Sequence, residues 1–219
     1  PHDFVDGSGL ARLAAAGIPV DTGLLATEAE ALNAGFFARQ TRGRPWVRLK
    51  LAASLDGRTA MASGESQWIT GAAARRDVQH LRARSCAIVT GVGTVLADDP
   101  RLTLREAELD DLPAFDREFL ARVPPLRVVL DATLRTPPGA RVLQGGPVLL
   151  HGAAEASRER RAALEAAGAE VELLAAGPSG GVDLGAVLAG LAARECNEVL
   201  LECGPTLAGS ALEAGLVDE

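Results

Sequence analysis

The chain has 219 residues, of which 47% are hydrophobic and 23% charged, and its formal net charge at pH 7 is -7. This composition is typical of a globular protein and excludes a disordered or fibrous chain. No apolar run approaches the roughly 20 residues of a membrane-spanning helix, and nothing at Pro1 resembles a signal peptide, so we expect a cytoplasmic protein. Nucleic-acid binding is disfavoured because the chain has no long basic run and few aromatic residues.

Residues 1–45 are expected to form a helical, turn-rich connector. The strongest helical pattern covers 27–39, and Gly43 and Pro45 close the segment. The chain starts at Pro1 without Met and stops directly after a helical pattern, so we expect a piece of a longer protein.

From Trp46 onward, short apolar segments alternate with amphipathic helices. Strands are predicted at 47–51, 86–90, 126–130, 147–150, 170–174 and 198–202, and helices at 72–84, 155–167, 184–194 and 207–214. This alternation predicts a largely parallel sheet covered on both faces, with ligands beyond the carboxyl ends of the strands. The long connection 98–125 is expected to be functional or mobile.

The segment 46–70 predicts a strand that runs into a polar loop, with Thr70 capping the next helix. Small residues at 52–54 would let a flat ring lie against the strand end, although an ordinary connection has the same pattern, and Trp68 is more often a core residue. Lys50 is the only Lys beside 21 Arg. Either codon bias left it by chance, or a compact, titratable ammonium is required there.

The segment 86–105 contains a weak glycine signal. Gly91 and Gly93 follow a strand, but the third glycine of the dinucleotide-binding fingerprint is absent. Neither a phosphate-binding P-loop nor a zinc-deaminase signature occurs. The three His are isolated and expected to be structural or exposed, and the three Cys to be small buried hydrophobic residues without a disulfide framework.

The segment 198–214 predicts a strand, a tight turn and a helix. Gly204 and Pro205 would form the turn, Thr206 would cap the helix, and the first amides would point at an anion such as a pyrophosphate. Many such turns bind no ligand, so both interpretations stay open. Glu202 is more specific, because a carboxylate at the end of a buried strand needs a partner or a function, such as binding sugar hydroxyls.

Three blocks together resemble the reductase domain of the bacterial bifunctional riboflavin-biosynthesis deaminase/reductase. They are LKLAASLDGRTAMASGESQWIT, ARRDVQHLRARSCAIVTGVGTVLADDPRLTLR and LLECGPTLAGSALEAGLVDE. The resemblance implies a dihydrofolate-reductase-like, three-layer α/β/α fold with a mostly parallel sheet. It also implies NADPH as hydride donor and 5-amino-6-(5-phosphoribosylamino)uracil as substrate.

The same resemblance divides the chain into 1–45, the connector from an absent zinc deaminase domain, and 46–219, a reductase domain whose final strands are missing. Zinc would belong only to the deaminase domain, so no metal is expected here. A homo-oligomer is expected. The alternatives are another dihydrofolate-reductase-like NADPH reductase acting on a different pterin or pyrimidine, or a non-catalytic nucleotide-binding module.

Site residues follow from the resemblance by position. The cofactor contacts would be Ala52, Trp68, Thr94, Asp98, Ala132, Gly204, Pro205, Thr206, Leu207, Ala208, Gly209 and Ser210. The substrate contacts would be Ser66, Arg82, Leu102, Arg105 and Glu202, with Arg82 and Arg105 forming a fork for the phosphate. Many family members carry Ser where this chain has Ala132, so Thr133 or Arg135 would have to replace that hydroxyl. Lys50 and Glu202 are the candidate catalytic residues.

Overall fold

The computed structural model describes residues 7–61, 69–177 and 180–219, and its centre is a parallel sheet. The strands are β1 Trp46–Lys50, β2 Ala87–Gly91, β3 Leu126–Leu130, β4 Val148–Ala153, β5 Glu170–Leu174 and β6 Glu198–Glu202. They are arranged in the order β1-β6-β2-β3-β4-β5, and every neighbouring pair is parallel. The six predicted strands and the parallel arrangement are confirmed.

The described residues contain nine α-helices, several of which pack on this sheet. They are α1 Ser8–Ala15, α2 Ala26–Leu32, α3 Ala34–Arg42, α4 Ala72–Arg84, α5 Val92–Asp98, α6 Ala114–Arg122, α7 Arg158–Ala166, α8 Leu184–Ala193 and α9 Pro205–Glu213. Two of them were not predicted. Gly91 and Gly93 were interpreted as a weak ligand-binding signal after a strand, but Gly93 lies inside α5. α6 lies inside the expected long connection and buries no residue, so it leaves no apolar stripe in the sequence.

The two faces of the sheet carry separate hydrophobic clusters, which confirms the three-layer architecture. On one face, Val187 and Leu188 of α8 and Ala211 of α9 pack against strand residues such as Val199. On the other face, Val95 of α5 and Leu164 of α7 pack with strand residues of that side. Fully burying such a side chain contributes about 1.5–3 kcal/mol. In the described residues, no helix is long and apolar enough to cross a membrane.

Two other parts of the chain contact the β1-β6 end of the sheet. α3 packs against the residue before β6, where a Cβ at Gly35 would be 2.7 Å from the Asn197 carbonyl oxygen, whereas α1 and α2 bury no residue. Glu219 donates its N–H to the Val47 carbonyl (3.2 Å), and Leu49 donates to the Glu219 carbonyl (2.8 Å). These two hydrogen bonds form the pattern of parallel strand pairing, with Glu219 beside the edge of β1 that faces away from β6.

Candidate active site

The chain leaves the carboxyl ends of the adjacent strands β2 and β6 toward opposite faces of the sheet, and we call the space between the two turns the crevice. α5 follows β2 onto one face of the sheet, and α9 follows β6 onto the other. The two turns remain in contact: a Cβ at Gly204 would lie 3.8 Å from Thr94 Oγ1, and one at Gly91 would lie 3.7 Å from Leu207. Such a topological switch point is where parallel α/β sheets bind ligands.

The helix starts at this crevice lack side-chain caps. Gly204 is the N-cap of α9 and Pro205 occupies its first position, so the predicted cap, Thr206, is wrong. Gly91 and Gly71 are the N-caps of α5 and α4, and Thr70 is therefore not the cap of α4. No described residue accepts a hydrogen bond from the amides of Thr206 and Leu207, which remain available to an anion.

The helices after β4 and β5 begin differently. Ser157 Oγ accepts a hydrogen bond from Arg160 N at the start of α7. Asp183 Oδ1 accepts from Gly185 N (2.8 Å) and Ala186 N (3.2 Å) at the start of α8. These caps satisfy amides that the crevice helices leave free.

A charged cluster surrounds Glu202, the last residue of β6, two residues before the Gly204 turn of α9. Glu202 Oε1 and Oε2 accept hydrogen bonds from Arg82 Nε (2.6 Å) and Nη2 (2.9 Å), and only 11% and 12% of the two side chains is exposed. Lys50 is the register partner of Glu202 on β1, so both side chains leave the same face of the sheet. The Lys50 ammonium forms no ion pair with any residue in the described ranges. The sequence-predicted catalytic pair and Arg82 are thus close together.

The segment 98–125 is fixed to α4 rather than loose. The Arg82 Nη1 donates to the Thr103 carbonyl (2.9 Å), and the Arg105 N–H donates to Oε1 of Gln79, a residue that is 2% exposed. The segment contacts α4 a third time, where His80 Nε2 lies 3.3 Å from Asp111 Oδ1. The segment therefore forms a wall beside the charged cluster.

Arg105 and Arg82 differ in how far their guanidinium groups are already engaged. Arg82 is held by Glu202 on two sides and by the Thr103 carbonyl on a third. Arg105 contacts Glu108 (2.8 Å), and 57% of its side chain is exposed. The Arg105 side chain is therefore the freer member of the predicted phosphate fork.

Two predicted ligand contacts lie in the core. Leu102 is 4% exposed and belongs to the cluster beneath α5 and α7, and Ala208 is 3% exposed on the inner side of α9. Their burial does not favour side-chain contact with a ligand, and their roles remain predictions.

The other predicted cofactor contacts have the following positions. Ala52 is half-buried directly after β1, and Asp98 is exposed at the last residue of α5. The Ala132 carbonyl accepts a hydrogen bond from Ala153 N (2.9 Å) beside the end of β3. Ser66 and Trp68 lie outside the described residues.

The positions of the last residues of this set follow from α9. Gly209 has open space around it, since nothing lies within 4 Å of a Cβ built there. Ser210 Oγ donates to the Thr206 carbonyl (3.1 Å) and is exposed. Both residues therefore lie on the outer part of the helix, within two turns of the crevice.

Sequence reasoning missed two buried polar residues near the crevice. Asp131 follows β3 and is fully buried; its Oδ2 accepts from Thr136 N and Oγ1 at 2.6 and 2.8 Å, while Oδ1 has no partner among the described residues. Thr90 Oγ1 is also buried and unpartnered. A carboxylate after the apolar run 126–130 was a usable signal, the same one that identified Glu202. Thr90 gave no signal, because Thr is common in buried strands.

Metal ligands do not cluster in the part of the chain that the structure describes. No group of three or more His, Cys, Asp and Glu there could hold a metal ion.

The fold is that of a parallel α/β domain, a class of protein that binds ligands at the carboxyl edge of the sheet. Residues 45–219 match the family model of the RibD C-terminal domain, so the chain belongs to that family. The resemblance found from the three sequence blocks and the fold inferred from it are confirmed.

The relatives and solved structures agree with this assignment. The riboflavin biosynthesis protein RibD of Escherichia coli K12 is 47% identical over 222 residues, which cover 100% of this chain and 58% of the relative. A RibD structure from Acinetobacter baumannii has a TM-score of 0.79 at 39% identity and covers 97% of this chain and 54% of its own.

A third similar protein carries a more detailed description. A Thermotoga maritima structure described as a diaminohydroxyphosphoribosylaminopyrimidine deaminase/5-amino-6-(5-phosphoribosylamino)uracil reductase has a TM-score of 0.73 at 28% identity, covering 98% of this chain and 54% of its own. The chain thus spans somewhat more than half the length of the relatives it matches.

Proposed function

We propose that this chain reduces the ribosyl group of 5-amino-6-(5-phosphoribosylamino)uracil to a ribityl group, with NADPH as hydride donor. The observation that carries the proposal is the uncapped start of α9 at Gly204. It lies two residues after Glu202, which pairs with Arg82, and it lies one strand away from Lys50. This arrangement offers an anion site and a charged sugar site side by side. The family assignment supports the same reaction.

The residues of the crevice fit a dinucleotide. The free amides of Thr206 and Leu207 would bind pyrophosphate oxygens, and Thr94 Oγ1 lies near the same turn. Gly204 leaves room for close approach, because an added Cβ would have only Thr94 within 4 Å. NADPH, when bound, supplies the hydride.

The charged cluster fits the sugar. Opening the ribosylamine ring gives a carbon–nitrogen double bond at the sugar carbon, and its reduction leaves the open ribityl chain. The Lys50 ammonium would supply positive charge or a proton as the ring oxygen leaves. Glu202, already oriented by Arg82, would accept hydrogen bonds from sugar hydroxyls. Arg105 would bind the phosphate, since its guanidinium is exposed beside this cluster.

The test is a steady-state assay of NADPH consumption with the aminopyrimidine phosphate, comparing the parent with Lys50→Met. We expect turnover to fall about a hundredfold or more, as general acid–base groups typically contribute 10²–10⁴, with NADPH affinity nearly unchanged. Arg58→Met, which removes a cation that is 73% exposed, is the matched control and should keep parental turnover. Equal turnover in the parent and Lys50→Met would remove Lys50 from the mechanism. Turnover by the parent only with a different pterin or pyrimidine would overturn the proposed substrate.

A further inference from the structure

Two of the three cysteines meet at the amino-terminal edge of the sheet, opposite the crevice. Cys86 directly precedes β2, and Cys196 lies two residues before the neighbouring strand β6. Asn197 donates its N–H to Cys86 Sγ at 3.3 Å. Covalent geometry then places the Cys196 Cα within about 6 Å of that sulfur. The two thiols are therefore neighbours, although 110 positions separate them in the sequence.

The two thiols have different exposures. Cys86 is exposed, so it contradicts the expectation that every cysteine is a buried hydrophobic residue, whereas Cys196 is 6% exposed. Cys86 is also fixed in place, because its N–H donates to the Glu198 carbonyl (2.8 Å). A reagent in solution can therefore reach Cys86, and Cys196 lies behind it.

The electrostatics favour a thiolate at Cys86. The neighbouring Cys196 thiol and backbone N–H groups stabilise the thiolate, so the pKa of Cys86 is lowered to about 5, although burial and the Glu198 carboxylate oppose the shift. The pKa of Cys196 is raised, because that thiol keeps the shared proton and is buried, despite the nearby Arg39 and Arg194. Burial raises the pKa of Cys203 to about 11. The chain thus carries one activated thiol, one partner and one inert thiol.

We infer that Cys86 and Cys196 form a hydroperoxide-reactive dithiol pair that closes to an intramolecular disulfide. The Cys86 sulfur attacks the peroxide, the O–O bond breaks, and one oxygen stays on sulfur as a sulfenic acid while the other leaves as water or an alcohol. The Cys196 sulfur then attacks the Cys86 sulfur, the S–O bond breaks, and water leaves with the Cys196 proton. The two thiols lose two electrons, and the peroxide gains them. Exposed, activated thiols beside a second Cys are typical of redox-sensitive sites.

The first test treats the reduced protein with one equivalent of hydrogen peroxide. We expect the loss of two titratable thiols, a mass lower by two hydrogens, and a Cys86–Cys196 peptide in a non-reducing digest. Cys203→Ser, the matched control, should behave like the parent. A disulfide that links Cys203, or one found only between two chains, would overturn the inference.

Two variants separate the chemical steps. Cys196→Ser should stop at a sulfenic acid on Cys86 that dimedone traps, whereas Cys86→Ser should keep all its thiols under the same dose. Oxidation of Cys86→Ser at the parental rate would show that Cys86 is not the attacking thiol. Absence of a dimedone adduct in Cys196→Ser would remove Cys196 from its role as the resolving thiol.

Alkylation of the parent by iodoacetamide requires no variant to fold. Near pH 7, Cys86 should react more than about tenfold faster than Cys203, because its larger thiolate fraction outweighs its lower intrinsic nucleophilicity. Its rate should stay nearly constant between pH 6.5 and 8.5, while the Cys203 rate rises with pH. Equal rates for the two thiols would contradict the inference. All three measurements are independent of the reductase proposal, since the pair lies at the opposite edge of the sheet.

Discussion

The two halves of the carboxyl edge of the sheet treat their helix amides in opposite ways. In the half formed by β1, β6 and β2, helices α4, α5 and α9 begin at glycine. In the half that contains β4 and β5, helices α7 and α8 begin under the side chains of Ser157 and Asp183. A capped amide is already satisfied, and an uncapped one is available. The difference is the reason to assign the proposed anion site to the half formed by β1, β6 and β2.

The ion pairs of the two halves also differ. In the β1-β6 half, Glu202 and Arg82 pair inside the cleft beside Lys50. In the β5 half, Arg194 joins Glu170 and Glu172 at the surface. The first group can serve a ligand, whereas the second closes the edge of the sheet.

The largest effect on the β1-β6 half is expected from Glu202→Gln, which leaves the Arg82 guanidinium with a neutral partner. Because Glu202 and Arg82 fix the wall at Thr103, we expect turnover to fall about a hundredfold, as small misplacements of reacting groups typically cause. NADPH oxidation at saturating substrate measures this effect. Glu172→Gln, on β5, is the control and should change turnover less than about twofold. Similar losses in both variants would remove the functional distinction between the halves.

Arg105→Ala tests whether Arg105, in the same half of the sheet edge, binds the substrate phosphate. Loss of a charged hydrogen bond worth about 1.5–3 kcal/mol should raise the KM for the phosphorylated substrate roughly tenfold to a hundredfold. The KM for the dephosphorylated compound should hardly change. An equal increase for both compounds would mean that Arg105 does not bind the phosphate.

Gly204→Asp converts an uncapped helix start into a capped one. The backbone of Gly204 (φ -74°, ψ 173°) accepts any residue, and the new carboxylate would occupy the free amides as Asp183 does in α8. We expect NADPH binding to weaken about tenfold, while stability rises by a few tenths of a kcal/mol.

The reverse substitution, Asp183→Ala, supplies the comparison. It should lower stability by about 1 kcal/mol and leave NADPH affinity unchanged. Calorimetric titration and urea unfolding of both variants measure the two effects. Unaltered NADPH affinity in Gly204→Asp would place the dinucleotide elsewhere.

The smallest expected effect is a pH dependence of stability in the β4-β5 half. His151 is 1% exposed, and burial lowers its pKa, although Glu172, 3.6 Å away, and Glu170 oppose the shift and Arg194 supports it. The unfolded chain therefore binds a proton below pH about 6.5 that the folded chain resists, so stability is complete above that pH and falls as the pH is lowered.

His151→Leu should flatten this dependence, which amounts to at most about 1.4 kcal/mol per pH unit. Urea unfolding between pH 5 and 7.5 measures the slope. A slope that survives in His151→Leu would assign it to other groups.

The sequence predicted the sheet because each buried parallel strand is a continuous apolar run between turn residues. It also predicted α4 at its observed bounds, since Val78 and Leu81 recur at helical spacing. It missed α6, which buries no side chain and so has no apolar stripe. It also missed α5, although Val95 of this helix packs in the core, because seven residues are too few to show a helical period.

The site was predictable in part. The closeness of Lys50 and Glu202 could not be predicted without the strand order. β6 lies beside β1 although 147 residues lie between the end of β1 and the start of β6. The pairing of Arg82 with Glu202 was not foreseen, because a sequence pattern does not reveal which charges meet in space. The cap assignments of Thr70 and Thr206 failed because glycine began both helices one or two residues from the expected cap.

The ladder on the outer side of β1 has a consequence for association between molecules. An edge strand with free N–H and carbonyl groups can recruit a strand from another chain and start aggregation. Here Glu219 occupies the groups of Val47 and Leu49, and the Asp218 carboxylate binds Arg44 and the Val47 N–H. At the far edge, the charges of Glu170 and Glu172 discourage the same event. Val47 and Leu49 therefore have fewer free backbone groups with which a strand from another molecule could pair.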